Sequence, residues 1–300
     1  MTAPPTGWIR PGLHRPWPVD VAVLDVDGVL LDVEPSFREC VRIAVGRVQR
    51  LLAVAQPWTP SLHDVRLTKR AGGFNDDIDT AIALTAIGAG GRAPELASIM
   101  RDVEHAGGGL RALREVAPDL PRVPGGLVLR VFDEHYWGAD EFRRRVGEEP
   151  EHDPPQHGLR TLELVLASRD LPARLRTVGV RAVALITGRT PLELGDALER
   201  LGWRPGDIDA VVTGDMVRKP DPACLDRVVE STSATSLVYV GDVRDDWELV
   251  RRFAAERDGS VPALSVIVGE ESARLREQGC DATLASVEQL PALLAALRRE

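Results

Sequence analysis

Lysine is almost missing from this chain. Of 37 basic residues only Lys69 and Lys219 are lysines. Arginine carries the rest, a bias expected of a GC-rich genome. A compact ammonium persists in such a chain where a planar guanidinium cannot replace it, so both positions are marked for inspection, against the plain alternative of chance survival. Cysteine is also sparse. Cys40, Cys224 and Cys280 are scattered and form no C-x-x-C, so neither a disulfide framework nor a zinc site is suggested. No stretch approaches the ~20 apolar residues of a membrane span. The first twenty residues hold five prolines and no apolar run, unlike a secretory signal. The expected setting is soluble, reducing and cytoplasmic. A net charge of −9 argues against nucleic acid or an anionic membrane as a partner. The basic cluster Arg143-Arg144-Arg145 reads as a solvated helix face.

Three hundred residues suggest two domains, at ~150 residues each. A buried strand is expected over 19–24. The region after it changes character. Helical spacing marks 36–54, 76–87, 94–105 and 127–146, with glycine and proline clusters between them. We read 33–158 as a mostly helical insert, with 148–158 as a return linker. Beyond it strands and helices alternate. Helices are expected at 159–178, 191–201, 222–230, 246–257, 272–278 and 287–298. Strands are expected at 182–186, 210–212, 237–240, 263–268 and 283–284. This alternation predicts an α/β fold with a doubly wound parallel sheet, built from 1–32 and 159–300. Ligands of such sheets lie at the carboxyl ends of the strands.

The polar residues at those ends share one chemistry. The first strand ends in Asp25-Val26-Asp27-Gly28. An extended backbone repeats every two residues, so Asp25 and Asp27 point the same way. Two like charges this close require a cation, or a proton on one of them. One carboxylate as nucleophile and a second as proton donor need this arrangement. A calcium loop is excluded, since its fifth position would be Val29 and its twelfth Ser36. The strand ending at Ile186 is followed by Thr187-Gly188-Arg189. Thr187 and Gly188 suit a phosphate cradle, and equally an ordinary helix cap. Lys219 follows the third strand, in Lys219-Pro220-Asp221-Pro222, where an ammonium can neutralise phosphate or carboxylate. The strand ending at Val240 leads into Gly241-Asp242-Val243-Arg244-Asp245-Asp246. Asp246 can also serve as an N-terminal helix acid. So many acidic groups at one sheet edge would repel each other without a cation, and Mg²⁺ resolves that repulsion.

These segments, in this order, resemble the haloacid dehalogenase-like (HAD) hydrolase superfamily. The matching features are D-x-D-G-V, a Thr-Gly after the second core strand, the Lys of K-P-D-P, and G-D-x-x-x-D. The resemblance implies that Asp25 forms an aspartyl-phosphate and that Asp27 acts as general acid, then base. It implies phosphate binding by Thr187, Gly188 and Lys219. It implies Mg²⁺ held by Asp25, the Asp27 carbonyl and Asp242, with Asp246 close by or bound through water and Asp245 as the alternative acid. Dehalogenating members lack the second Asp, so Asp27 points to phosphate esters. The expected activity is hydrolysis of a small phosphorylated metabolite. A phosphomutase on the same machinery is the alternative, and a non-catalytic phosphate sensor a more distant one.

The insert 33–158 resembles the C1-type cap of that superfamily. Its segments from Lys69 to Asp77 and from Phe132 to Gly138 resemble a subgroup without a settled substrate. Lys69, Arg70 and Asn75, beside Gly72-Gly73, which reads as a hinge, are the expected substrate selectors; a surface helix start with Asn-Asp capping is the other reading. Tyr136 and Trp137 are expected in the cap core, and His152 and His157 in solvent. Gly88-Ala89-Gly90 fails as a dinucleotide motif because it follows a helix. No G-x-x-x-x-G-K-[ST], G-x-S-x-G or H-E-x-x-H occurs.

Overall fold

The computed structural model describes residues 7–13 and 17–298. The remaining residues of the N-terminal segment, where we expect no secretory signal, lie outside the described residues. The chain divides into two compact units. One comprises Met1–Asp32 and Leu164–Glu300, and the other Val33–Glu163.

Among its described residues the first unit contains nine short strands. They are β1 (Trp8–Ile9), β2 (Val21–Leu24), β3 (Leu31–Asp32), β4 (Leu164–Val165), β5 (Ala182–Ile186), β6 (Ala210–Val212), β7 (Leu237–Gly241), β8 (Ala263–Val268) and β9 (Ala282–Leu284). Seven form one sheet in the order β1-β9-β8-β7-β2-β5-β6. Only β1 is antiparallel to its neighbour there. Every residue of β2, β5 and β7 is buried. Strands covered on both faces tolerate only near-continuous Val, Leu, Ile and Ala, which explains the unbroken apolar runs. Val21, Val23, Ala184 and Tyr239 pack with Leu225, Val228, Leu249 and Phe253 in one core cluster. Those last four come from helices Ala223–Thr232 and Arg244–Glu256.

Topology places the site. The chain runs from β2 outward through β5 and β6, then returns to the other side of β2 as β7. That reversal is the switch point at which such sheets bind ligands. Leu24 is in register with Leu185 on one side and Val240 on the other. Asp25, Thr187 and Asp242 therefore leave the sheet at nearly the same level.

The expected helix over 159–178 does not form as one element. A 3₁₀ turn occupies Leu159–Leu162, β4 pairs antiparallel with β3, and the helix covers only Leu171–Thr177. Pro172 sits in its first turn, where a fixed φ and a missing N–H suit a helix start. The apolar residues at 164–166, expected inside that helix, instead lie in and just after β4.

The second unit is helical. Its helices are Glu39–Leu51, Leu62–Arg70, Asp77–Ala89, Leu96–His105, Gly109–Val116, Gly125–Trp137 and Ala139–Val146. Two of these, Leu62–Arg70 and Gly109–Val116, lie where the sequence reading set no helix. The first carries a readable start signal, since Ser61 and Asp64 form a capping box. Lys69 and Arg70 lie in the last turn of this helix, where cations suit the helix dipole, and the helix that starts with Asp capping is the next one. The expected single helix over 127–146 breaks at Gly138. Gly72-Gly73 is packed rather than loose. The Gly109 amide donates to the Gly72 carbonyl at 2.9 Å. A Cβ on Gly73 would lie 2.7 Å from that same amide nitrogen. The residue must therefore be glycine for two backbones to cross.

Tyr136 stacks on Phe37 at 4.5 Å and meets Trp137 edge-on at 4.9 Å. Both residues are buried core. The loop after Val146 is held by one buried carboxylate. Glu134 accepts Arg130 Nε at 2.6 Å, the amides of Glu151 and His152 at 2.9 and 2.7 Å, and pairs with His152 Nδ1 at 3.2 Å. His152 is thus buried against Glu134, not solvated as the proline-rich context suggested. A buried charge deprived of its partners is strongly destabilising, and so are donors deprived of theirs. Glu134→Ala should lower stability by about 3 kcal/mol or more. It should open the 148–157 loop to limited proteolysis, whereas an unchanged cleavage pattern would show that the loop is held by other contacts.

Candidate active site

Asp25 stands one residue past the end of β2 and is buried. Its amide donates to the Val240 carbonyl at 2.9 Å, so the strand pairing fixes its backbone. Its Oδ1 accepts the Val26 amide at 2.8 Å, and its Oδ2 lies 2.7 Å from Lys219 Nζ. The chain then turns through Gly28, at φ +76°. A Cβ there would lie 2.0 Å from an Asp242 oxygen. Only glycine both adopts that backbone and admits the Asp242 carboxylate.

Lys219 also pairs with Asp246 Oδ1, at 2.8 Å, so one ammonium bridges two buried carboxylates. Asp246 is satisfied on both oxygens. Tyr239 Oη donates to Oδ1 at 2.7 Å, and the amides of Asp242 and Val243 donate to Oδ2 at 3.0 and 3.1 Å. Its place in the first turn of helix Arg244–Glu256 adds the helix dipole. Asp246 therefore anchors Lys219, in addition to serving as a helix acid. Asp25, Asp242 and Asp246 bring carboxylate oxygens within 4.8 Å of one another, while Asp245 lies outside that group.

The electrostatics follow from burial. Burial pushes the Asp25 carboxyl well above the usual range; Lys219 opposes this, and Asp246, Asp242 and Asp27 add to it. Burial works against the charge on Lys219, yet Asp246 and Asp25 outweigh it and hold the ammonium protonated beyond the ordinary lysine range. Burial likewise raises the Tyr239 phenol, and Asp246 raises it further. Asp25 and Asp246 share one ammonium, and Asp242 brings a third carboxylate beside them. An all-oxygen donor set of this kind fits a hard divalent cation.

Asp27 is expected beside Asp25, and its carboxylate is instead tied to a different cation. Its Oδ1 accepts Arg189 Nε at 2.7 Å, and the Arg189 side chain has no exposed surface. Thr187 is buried, and its Oγ1 accepts the Arg189 amide at 3.1 Å. The hydroxyl proton of Thr187 can then donate to an anion. Gly188 follows directly, and its carbonyl would lie 2.3 Å from a Cβ on Gly214, so the two loops are in close backbone contact. The cap of the following helix is Thr190, which accepts from the Glu193 amide. Thr187 therefore does not cap that helix.

Arg189 and Tyr239 are the residues that the sequence reading passed over. Tyr239 is one of only two tyrosines, set inside an apolar strand, which is a readable signal. Arg189 offers none in so arginine-rich a chain. In the second unit, Lys69 Nζ lies 3.0 Å from Asp77 Oδ1 and donates to the Asn75 carbonyl at 3.2 Å. Asp76 caps the next helix. These residues form a connected group within their own unit, with Arg70 on the same helix as Lys69.

A family model for haloacid dehalogenase-like hydrolases matches residues 19–248. The chain belongs to this family. Among solved structures it is similar to a phosphatase, Tt82, from Thermococcus thioreducens, at 27% identity and a TM-score of 0.65, covering 92% of this chain and 99% of that one. A putative phosphoglycolate phosphatase from Lactobacillus delbrueckii shares the fold at 17% identity and a TM-score of 0.56, covering 92% and 98%. A predicted phosphoglycolate phosphatase from Haemophilus somnus does so at 14% and 0.55, covering 92% and 97%. No curated protein matches the chain. Among the described residues of this family member, no helix is long and apolar enough to cross a membrane.

The anchoring role of Lys219 has a stability signature. Lys219→Ala would strand two buried carboxylates and should cost about 3–5 kcal/mol. Tyr239→Phe removes one hydrogen bond from an acceptor that keeps others, and should cost about 1 kcal/mol. Urea denaturation of the two variants measures the difference, and equal losses would contradict the bridging geometry.

Proposed function

We propose that this hydrolase is a Mg²⁺-dependent phosphatase acting on a small phosphate ester through an aspartyl-phosphate on Asp25. The observation that carries the reading is the bridge of Lys219 between Asp25 and Asp246, beside the Asp242 carboxylate. It leaves a nucleophile, a fixed cation and a cluster of carboxylate oxygens at one switch point.

The steps follow from the residues. An Asp25 oxygen attacks phosphorus as the ester P–O bond breaks. Asp27, as the free acid, hands its proton to the departing oxygen. Thr187, the Gly188 amide and Lys219 hold the phosphoryl oxygens. Donors fixed in a buried setting stabilise developing charge without reorganising. Water then attacks phosphorus, Asp27 takes its proton, and the bond to Asp25 breaks to release phosphate. Mg²⁺, held by Asp25, Asp242 and the Asp27 carbonyl with Asp246 alongside, would neutralise the phosphoryl charge when bound. Asp246 contributes chiefly by fixing Lys219, since both its oxygens are engaged.

A set of phosphorylated sugars, amino alcohols and nucleotides assayed with Mg²⁺ tests the activity. Free phosphate in step with substrate loss supports hydrolysis, while an isomerised product marks a phosphomutase. Asp25→Asn should abolish turnover, and a variant as fast as the parent would end the proposal. The cation has its own test. At a hundred times its Kd, Mg²⁺ should stabilise the parent by about 2.7 kcal/mol, raising Tm by several degrees. Asp242→Asn should lose most of that rise, and an equal rise in both proteins would place the ion elsewhere.

A further inference from the structure

Two carboxylates two residues apart are expected to need a cation, or a proton on one of them. The structure gives each its own. Lys219 takes Asp25, at 2.7 Å, and Arg189 takes Asp27, also at 2.7 Å. The consequence is a separation of the pair. Asp25 joins Asp242 and Asp246 in the acidic cluster, and the Asp27 carboxylate does not. The Asp25 side chain is 5% exposed, and that of Asp27 is 28% exposed.

Arg189 is an expensive way to cap a loop. Its guanidinium is wholly buried, and burying an ion costs several kcal/mol unless it is well paired. Besides Asp27 it reaches the Glu193 carbonyl, at 3.4 Å, in the first turn of helix Pro191–Leu201. Thr187 Oγ1 fixes its backbone from the other side. The guanidinium is therefore tied to a rigid element at one end and to Asp27 at the other.

We propose that Arg189 is the positioning residue for proton transfer: it holds the Asp27 carboxyl away from the Asp25–Asp242–Asp246 cluster and on the solvent side, where the leaving alcohol departs. The proposal rests on the phosphatase reading above. Arg189 engages one carboxyl oxygen through Nε, and the other oxygen is the one that carries the proton to the ester. Without Arg189, Asp27 is no longer held at that place, and a basic leaving group goes unprotonated. A positioned general acid contributes roughly 10²–10⁴-fold. A leaving group that departs readily as an anion needs little of this help.

Phenyl phosphate and p-nitrophenyl phosphate separate the two cases, since they are close in size and differ mainly in leaving-group basicity. Arg189→Gln should lower kcat on phenyl phosphate about 100-fold. It should lower kcat on p-nitrophenyl phosphate at least several-fold less, with little change in KM on either. Arg189→Lys should recover part of the loss. In an Asp27→Asn background, Arg189→Gln should add nothing further on phenyl phosphate. Equal losses on both esters, a KM rise on both, or a full additional loss in the Asp27→Asn background would each overturn the proposal. Should Arg189→Gln fail to fold by circular dichroism, Arg189→Lys decides by the same selectivity, with a smaller factor. Turnover surviving Asp25→Asn would count against the phosphatase reading itself, and is told apart from any of these outcomes.

Discussion

The ammonium of Lys219, seated between Asp25 and Asp246, is the interaction on which the rest depends. Two unit charges about 4 Å apart repel by about 4 kcal/mol at an effective dielectric constant of 20. Such repulsion at the end of a closely paired sheet would drive the strand-end loops apart. Lys219 turns it into two attractions, at 2.7 and 2.8 Å. Burial charges a desolvation cost of several kcal/mol for each ion. That cost is met unequally. Asp246 receives Lys219, Tyr239 and two backbone amides. Asp25 receives Lys219 and one backbone amide. In the proposed reaction the less satisfied carboxylate is the one that attacks, and the fully bonded one stays still.

The same economy of partners divides the labour along β2 and β5. Strand periodicity alone would point Asp25 and Asp27 the same way, but β2 ends at Leu24, and the acidic cluster and Arg189 give the two carboxylates different neighbours. One carboxylate lies in a buried cluster with two others. The other is paired, partly exposed and outside that cluster. Chemistry that needs a nucleophile and a proton carrier needs such an asymmetry, because identical surroundings would make the two groups compete for both roles.

Much of this was legible in the residues, and the reason is local. The strands at 182–186, 210–212 and 263–268 and the helices at 191–201 and 272–278 coincide with the observed elements. Each is bounded by glycine, proline or a polar cap, and buried parallel strands leave unbroken apolar runs. The helical unit was harder. Leu62–Arg70 is nine residues long and mostly polar, so its periodicity is weak, although its capping box was there to be read. The 159–178 region was harder because a short apolar run such as Leu164-Val165-Leu166 suits a helix or a strand, and only pairing with Leu31 and Asp32 decides between them. Gly72 and Gly73 suggested a hinge because a sequence does not show Gly108 and Gly109 packed against them.

Rarity worked as a signal only for residue types that the chain otherwise avoids. Lys219 stood out because arginine had displaced nearly every other lysine, and it proved to occupy a place a guanidinium would fit poorly. A fork of five donors cannot sit as a point between Asp25 Oδ2 and Asp246 Oδ1 without also crowding Tyr239. Tyr239 carried the same kind of signal. Arg189 carried none, being one basic residue among 37 and following a Thr-Gly that drew attention to itself. Its importance lies in pairing across 162 residues of chain, from the end of β5 back to the end of β2. Composition marks residues that are unusual in kind, and this one is unusual only in place, as a buried cation whose carboxylate partner is a fold away.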